Sequence, residues 1–117
     1  MKREELLKQM EKESTKVDCA EIIKLINESN KRNNERGKPD ASLVIAMEEL
    51  AELIQEVSKV IRGKEDTLHL EEELADTMFA LFHIILLSHA DVDNMHKIMN
   101  VKANRLREKL KDTGYCQ

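Results

Sequence analysis

The chain has 117 residues, of which 41% are hydrophobic and 36% charged, and its formal net charge is −4. This length suits one domain, covering residues 1–117, with a core that needs no disulfides. Aromatic residues make up only 3% of the chain and glycine and proline are few, which predicts an all-α fold. The acidic balance argues against a nucleic-acid partner, because nucleic-acid-binding proteins normally present a basic face.

Cysteine usage and hydropathy indicate the cellular setting. Cys19 and Cys116 match no metal-ligand spacing and are too few for a disulfide framework, which favours a reducing cytoplasm. The first residues lack the apolar segment of a signal peptide. The longest apolar run, 78–87, is far shorter than the roughly 20 residues that span a bilayer, so we expect a cytoplasmic protein with no membrane partner.

The N-terminal segment is predicted to be a helical arm. Residues 2–14 are highly charged, and we expect residues 1–17 to be loose. A second helix begins near Asp18, and its apolar face consists of Ile22, Ile23, Leu25 and Ile26. The polar stretch 30–40 separates this arm from the rest of the chain, and its asparagines Asn30, Asn33 and Asn34 are candidates for polar contacts with a ligand.

A long third helix is predicted to run to about Arg62 and to end at Gly63, with Asp40 or Ser42 as its cap. It carries one continuous apolar stripe, formed by Leu43, Met47, Leu50, Ile54, Val57 and Ile61. The far side carries the acids Glu49, Glu52 and Glu56, with Ile45, Leu53 and Val60 beside or among them. A purely solvated face would lack such apolar neighbours, so we expect the acids to border a cleft between helices.

The fourth helix is predicted from Asp66 or Thr67 to about Ala90. Its main stripe comprises Leu74, Met78, Leu81 and Ile85, while Glu73 and Asp76 point to another side. From Met78 to Leu87 the helix is apolar almost all round, and such a helix must be buried on every side. We therefore expect the helix around residues 66–90 to contact a partner subunit in a homodimer or homotetramer.

A last helix is predicted from about Val92 to Lys111, followed by a loose tail at 112–117. Its basic side includes Lys97, Lys102, Arg105, Arg107, Lys109 and Lys111. Together these segments predict an antiparallel bundle of four to five helices, because short connections make successive helices antiparallel neighbours.

Two acidic signatures are the clearest chemical feature of the chain. Glu48-Glu49-x-x-Glu52 and Glu73-x-x-Asp76 are separated by 20 residues and lie on consecutive predicted helices. Like charges one turn apart destabilise an isolated helix by roughly 0.2–0.5 kcal/mol per pair, so a compensating cation is expected. Magnesium prefers hard oxygen ligands, and antiparallel packing of the two helices could supply four carboxylates at one level. The alternative is that these acids are simply solvated.

The two-part motif resembles the EExxE…ExxD signature of the MazG-like, all-α nucleoside triphosphate pyrophosphohydrolases, which include dimeric dUTPases, dCTP pyrophosphatases and phosphoribosyl-ATP pyrophosphatase. The resemblance covers roughly residues 20–110. It implies that Mg²⁺, or Mn²⁺ as a substitute, is bound by Glu49, Glu52, Glu73 and Asp76. Glu48 would be an auxiliary acid, either beside the ligands or as the base for the attacking water.

The resemblance also implies the reaction and the contacts of the phosphates. A nucleoside triphosphate, canonical or modified, would be cleaved to the monophosphate and pyrophosphate. Relatives of this type carry a Lys/Asn/Arg cluster in the last helix, and here the corresponding residues are Lys102, Asn104 and Arg107. A solvated basic helix face is the alternative for all of them.

Other functions and residues stay open at the level of sequence. The rival functions are a non-catalytic helical interaction module and phosphoribosyl-ATP hydrolysis. A di-iron bundle uses Glu-x-x-His, and no Glu here has His at the third following position. His83 is expected to be a core group, although it could approach the substrate. Phe79 and Phe82 are expected in the core, with lining of a base pocket as the alternative, and the preferred base is left open.

Overall fold

The computed structural model describes residues 2–12 and 16–112. Within these ranges the chain forms five helices and no strand, which confirms the all-α prediction. They are α1 (Arg3–Lys12), α2 (Cys19–Glu35), α3 (Ala41–Ile61), α4 (Thr67–Ser88) and α5 (Val92–Asp112). Residues 113–117 of the predicted tail lie outside the described residues. Residues 1 and 13–15 of the predicted arm also lie outside them. None of the described helices combines the length and the apolar character that crossing a membrane requires.

Aspartates determine where three of the helices begin. Asp18 accepts a hydrogen bond from the backbone N–H of Glu21 at 2.8 Å, ahead of α2. Asp66 accepts one from the N–H of Leu68 at 3.1 Å, and Asp91 accepts one from the N–H of Asn94 at 3.1 Å. Each carboxylate satisfies a backbone donor that has no partner inside its own helix.

The start of α3 differs from the prediction. Asp40 precedes the helix but makes no side-chain capping bond, and Ser42 lies inside the helix with its hydroxyl donated to Asn30. Asp40 therefore occupies the predicted cap position without a side-chain capping bond, and the alternative prediction that Ser42 caps the helix is wrong. The ends of the helices follow backbone conformation: Gly63 has a φ of 68° after α3, and His89 has a φ of 56°, which ends α4 at Ser88 and short of residue 90.

The described residues divide into two compact units between Leu87 and Ser88. The first contains α1, α2, α3 and almost all of α4. The second contains α5, whose described residues are mostly exposed. The single-domain organisation stays a prediction.

Within the first unit, α3 and α4 lie side by side and run in opposite directions. Glu56 contacts His69, and Glu52 lies close to Glu73. Each turn backward along α3 thus corresponds to one turn forward along α4. Further along the two helices, the buried residues Ala46 and Ala80 line the same cavity. The five-residue connection at 62–66 is too short for any other arrangement of adjacent helices.

The two helices face each other with their acidic sides. Glu56 and Glu73 are buried, at 4% and 6% exposure. The apolar stripe of α3 points elsewhere, since Met47, Ile54 and Ile61 are 71%, 70% and 81% exposed. An apolar stripe with heptad-like spacing normally faces the core. Here the acids line the helix contact, and most of the stripe is an exposed apolar surface of the first unit, with Leu43 and Leu50 half-buried.

Helix α2 joins this pair through a small polar network. The hydroxyl of Ser42 donates to the side-chain oxygen of Asn30 at 2.8 Å, and the amide of Asn33 donates to the same hydroxyl at 3.2 Å. Ser42 is buried at 7% exposure, and the buried Ile26 lies one turn before Asn30. The network therefore fixes α2 against the N-terminal part of α3, beside the acidic cluster.

Replacing Ser42 by alanine removes both hydrogen bonds: the amide of Asn33 loses this acceptor, while the side-chain oxygen of Asn30 keeps its contact with His83. We expect Ser42→Ala to lower the free energy of unfolding by about 1–2 kcal/mol. Ser58→Ala is the matched control, because Ser58 lies exposed on the same helix and alanine is the better helix former. Urea denaturation followed by circular dichroism measures both changes, and equal effects of the two substitutions would contradict the role assigned to Ser42.

Candidate metal centre

Three carboxylates from two helices converge at the contact of α3 and α4. Glu49, Glu52 and Glu73 each offer one oxygen, and these oxygens all lie within 4.8 Å of one another. Glu73 is buried, Glu49 is half-buried and Glu52 is exposed. The cluster therefore lies at the edge of the helix contact, where a small ligand can reach it from solvent.

The other two predicted acids lie beside this cluster. Asp76 follows Glu73 by one turn, is half-buried, and lines the same cavity as Glu49. Its charge contributes to raising the pKa of Glu49 and of Glu73, after the larger contribution of burial. Glu48 is exposed, and its charge also raises the pKa of Glu49, as a smaller contribution.

The electrostatics of the cluster favour the uptake of a proton or a cation. Burial and then repulsion by Glu52 raise the pKa of Glu73 to about 7, and a hydrogen bond to Glu52 adds to the same effect. Burial and neighbouring carboxylates also raise the pKa of Glu49 and of Asp76. Closely spaced carboxylates cannot all be ionised at low cost, and without a metal Glu73, whose pKa is about 7, is partly protonated near neutral pH.

Within this cluster, two buried carboxylate oxygens lack a hydrogen-bond partner among the described residues. They are Oε2 of Glu49 and Oε2 of Glu73. A buried carboxylate oxygen without a partner costs free energy, and a bound cation would offset this cost. The donor atoms are all carboxylate oxygens, the ligand type that Mg²⁺ prefers. The residues present therefore fit a magnesium ion.

A cavity of about 360 Å³ adjoins the acids. Its lining combines the acidic residues Glu49 and Asp76 with polar and apolar groups: Ser29, Asn33, Ser42, Ile45, Ala46, Phe79, Ala80 and His83. Phe79 lines this cavity and is 47% exposed, so the prediction that it lies in the core is wrong. Phe82 is half-buried and is not among these lining residues.

His83 has a defined protonation state in this cavity. Its Nδ1 lies 2.9 Å from the side-chain oxygen of Asn30, and this oxygen already accepts the hydroxyl of Ser42. A carbonyl oxygen can only accept, so Nδ1 carries the proton and Nε2 is the acceptor of the ring. Burial lowers the pKa of His83, so the ring is neutral at neutral pH. The Nδ2 of Asn30 is buried without a hydrogen-bond partner in the described part of the chain.

The predicted phosphate contacts lie on α5, in the second unit. Lys102, Asn104 and Arg107 are exposed. Lys102 and Asn104 line an open groove along this helix together with Arg105 and Leu106. Their role in substrate binding stays a prediction.

Two features of the site were missed at the level of sequence. The first is the link from Ser42 through Asn30 to His83, which joins three helices and depends on how they pack. The second is the pair of Glu56 and His69, whose atoms Oε1 and Nε2 lie 3.3 Å apart. The second pair could have been found from the register of the antiparallel helices: if Glu52 lies beside Glu73, then Glu56, one turn later, lies beside His69, one turn earlier.

Comparison of the chain with protein-family models, with curated proteins and with solved structures finds no match. The resemblance to the MazG-like enzymes therefore depends on the two-part acidic motif and its spacing.

The raised pKa of Glu73 gives the metal-free protein a pH-dependent stability. Between the ordinary pKa of 4.5 and the folded-state pKa of about 7, the folded protein holds a proton that the unfolded chain has released. The free energy of unfolding therefore falls as pH rises through about 7. His83 acts in the opposite sense, but its effect fades as pH rises above 6.5.

We expect the melting temperature in EDTA to fall from about pH 6.5 to about pH 8.5. Glu73→Gln should flatten this slope and stabilise the metal-free protein at the upper pH by on the order of 1 kcal/mol. Glu71→Gln, an exposed position on the same helix, should retain the slope of the wild type. A wild-type melting temperature that rises across this range would contradict the assignment.

Proposed function

We propose that this protein is a magnesium-dependent nucleoside triphosphate pyrophosphohydrolase, which cleaves a (d)NTP to the monophosphate and pyrophosphate. The observation that carries the proposal is the cluster of Glu49, Glu52 and Glu73, with two buried carboxylate oxygens unpartnered in the described residues and a cavity of about 360 Å³ beside it. The resemblance of the two acidic signatures to those of the MazG-like enzymes supports the same function.

In this proposal Glu49, Glu52, Glu73 and Asp76 hold Mg²⁺, with Mn²⁺ as a possible substitute. A metal ion there would neutralise phosphate charge and lower the pKa of a bound water. The chain supplies ligands from two packed helices, so their relative position is defined before substrate binds. Glu48 is exposed next to Glu49 and is proposed to accept a proton from the attacking water.

The cavity beside the acids is suited to the nucleoside. Pockets for small ligands combine apolar walls with a few polar groups that fix orientation. Here Phe79 and Ile45 supply the apolar surface, while Asn33 and the neutral ring of His83 supply polar atoms. The triphosphate would then extend toward Glu49 and Asp76, which line the same cavity. The phosphate-binding role of Lys102, Asn104 and Arg107, which the resemblance to the MazG-like enzymes implies, stays a prediction.

Oligomerisation is part of the same proposal. The exposed stripe of α3 includes Met47, Ile54 and Ile61, and α4 exposes Met78 to 61%. Apolar surface of this extent on neighbouring helices is typical of a protein interface. We propose that a second copy of the chain covers it, in a homodimer or a homotetramer.

A non-catalytic helical interaction module is the main rival. Such a module would benefit from the exposed apolar stripe but gains nothing from three close carboxylates. Buried unpaired acids destabilise a fold, and a bound cation would offset that cost.

The direct test of catalysis is pyrophosphate release from a panel of (d)NTPs in Mg²⁺. We expect at least one nucleotide to be hydrolysed and Asp76→Asn or Glu49→Gln to lower kcat by roughly 100-fold or more, because each loses a proposed ligand. Glu71→Gln should retain activity, since Glu71 is exposed and outside the cluster. The function is wrong if no nucleotide is cleaved, and the ligand assignment is wrong if Asp76→Asn retains full activity with normal helicity.

Light scattering during size-exclusion chromatography tests the oligomer. We expect the wild type to elute as a dimer or tetramer and Ile54→Glu to shift it toward the monomer, because a charge would be buried in the proposed interface. Gln55→Glu adds the same charge at the neighbouring exposed position and should leave the assembly intact. A monomeric wild type at concentrations of about 100 μM would contradict this part of the proposal.

A further inference from the structure

A second group of possible metal ligands lies about one turn from the first, toward the loop between α3 and α4. His69, Glu72 and Glu73 each place one ligand atom within 4.8 Å of the others. Oε1 of Glu56, from α3, lies 3.3 Å from Nε2 of His69. This group therefore combines an imidazole with carboxylates from both helices.

The spacing of these atoms suits a metal ion. His69, Glu72 and Glu73 occupy positions i, i+3 and i+4 of α4 and so share one side of the helix. Nε2 of His69 is 3.3 Å from Glu56 and 4.0 Å from Oε1 of Glu73. Ligands held at about 2.0–2.2 Å from one ion are separated by distances of this order. The three residues of α4 already have ligand atoms at this spacing, and Glu56 adjoins the group through its contact with His69.

Buried carboxylate oxygens give independent support for a ligand. The side chains of Glu56 and Glu73 are only 5% and 7% exposed. The Oε2 atom of each is buried and has no hydrogen-bond partner among the residues that the structure describes. Oε1 of Glu56 lies 3.3 Å and Oε1 of Glu73 lies 4.0 Å from Nε2 of His69, so both carboxylates that carry an unsatisfied oxygen adjoin the same imidazole ring.

Ion pairs alone do not account for this arrangement. Lys59 Nζ lies 2.9 Å from Oε1 of Glu56, the same oxygen that His69 approaches. Both contacts leave Oε2 of Glu56 and Oε2 of Glu73 without a partner. The side chains of Lys59 and His69 are 41% and 43% exposed, so Lys59 can turn toward solvent and His69 can adjust. A metal ion would then take the place of the ammonium group.

We propose that Glu56, His69, Glu72 and Glu73 form a second metal site, selective for a transition metal such as Mn²⁺, Co²⁺ or Zn²⁺ over Mg²⁺. Imidazole nitrogen is a good ligand for these ions, whereas Mg²⁺ prefers oxygen throughout. The site shares Glu73 with the proposed magnesium centre, but it does not depend on nucleotide hydrolysis. In the Glu-x-x-His motif of di-iron bundles the acid precedes the histidine, whereas here His69 precedes Glu72 and Glu73.

The test uses Mn²⁺ added to the full chain in excess Mg²⁺, with pulsed electron paramagnetic resonance to detect a nitrogen ligand. We expect one Mn²⁺ per chain with a nitrogen coupling from His69. His69→Gln should abolish that coupling and weaken Mn²⁺ binding by more than roughly tenfold. His96→Gln, an exposed histidine on α5, is the matched control and should behave as the wild type.

Two further variants separate this proposal from the proposed function. Asp76→Asn should keep the nitrogen-coupled Mn²⁺ while losing hydrolysis, because Asp76 is outside the second site. Glu56→Gln should weaken Mn²⁺ binding, and it replaces His69→Gln if that variant does not fold. The second site is wrong if wild-type Mn²⁺ shows no nitrogen coupling or if the coupling survives in His69→Gln. Hydrolysis in Mg²⁺ without nitrogen-coupled Mn²⁺ would overturn the second site and leave the proposed function intact.

Discussion

The contact between the acidic sides of α3 and α4 is the constraint on which the rest of the structure depends. Glu52 lies beside Glu73, and Glu56 beside His69, so carboxylates occupy positions that apolar side chains normally fill. Repulsion and burial oppose this packing, and they raise the pKa of Glu73 to about 7. Protons can relieve the repulsion, and so can cations. The packing of these two helices therefore favours the uptake of a proton or a cation between them.

Facing the acids inward has consequences for the other sides of both helices. The apolar stripe of α3 becomes exposed, with Ile54 at 70%, and α4 exposes Met78 to 61%. The same chain thus presents a charged inner cleft and an apolar outer surface. A second copy covering that surface would restore the usual burial of apolar groups. The acidic site and the proposed assembly therefore have the same cause: α3 and α4 turn their acidic sides toward each other and their apolar sides outward.

The helices themselves were predictable because their signals are local. Asp18 and Asp66 satisfy backbone donors at helix starts, Gly63 permits the conformation after α3, and the short connection makes α3 and α4 antiparallel. The acids that share a side also followed from periodicity. Periodicity alone does not determine which side faces inward, so the exposure of the apolar stripe became evident only from the packing.

The link between Ser42, Asn30 and His83 depends on three helices meeting, and the approach of Glu56 to His69 depends on helix register. Neither has a local signal in the sequence.

The most direct test of the central claim is the melting temperature of the wild type and of Asp76→Asn, each with and without Mg²⁺. Asp76→Asn should melt a few degrees higher than the wild type in EDTA, because repulsion is relieved, and should lose the stabilisation by Mg²⁺. Lower stability of Asp76→Asn in EDTA, together with equal stabilisation of both proteins by Mg²⁺, would contradict the account.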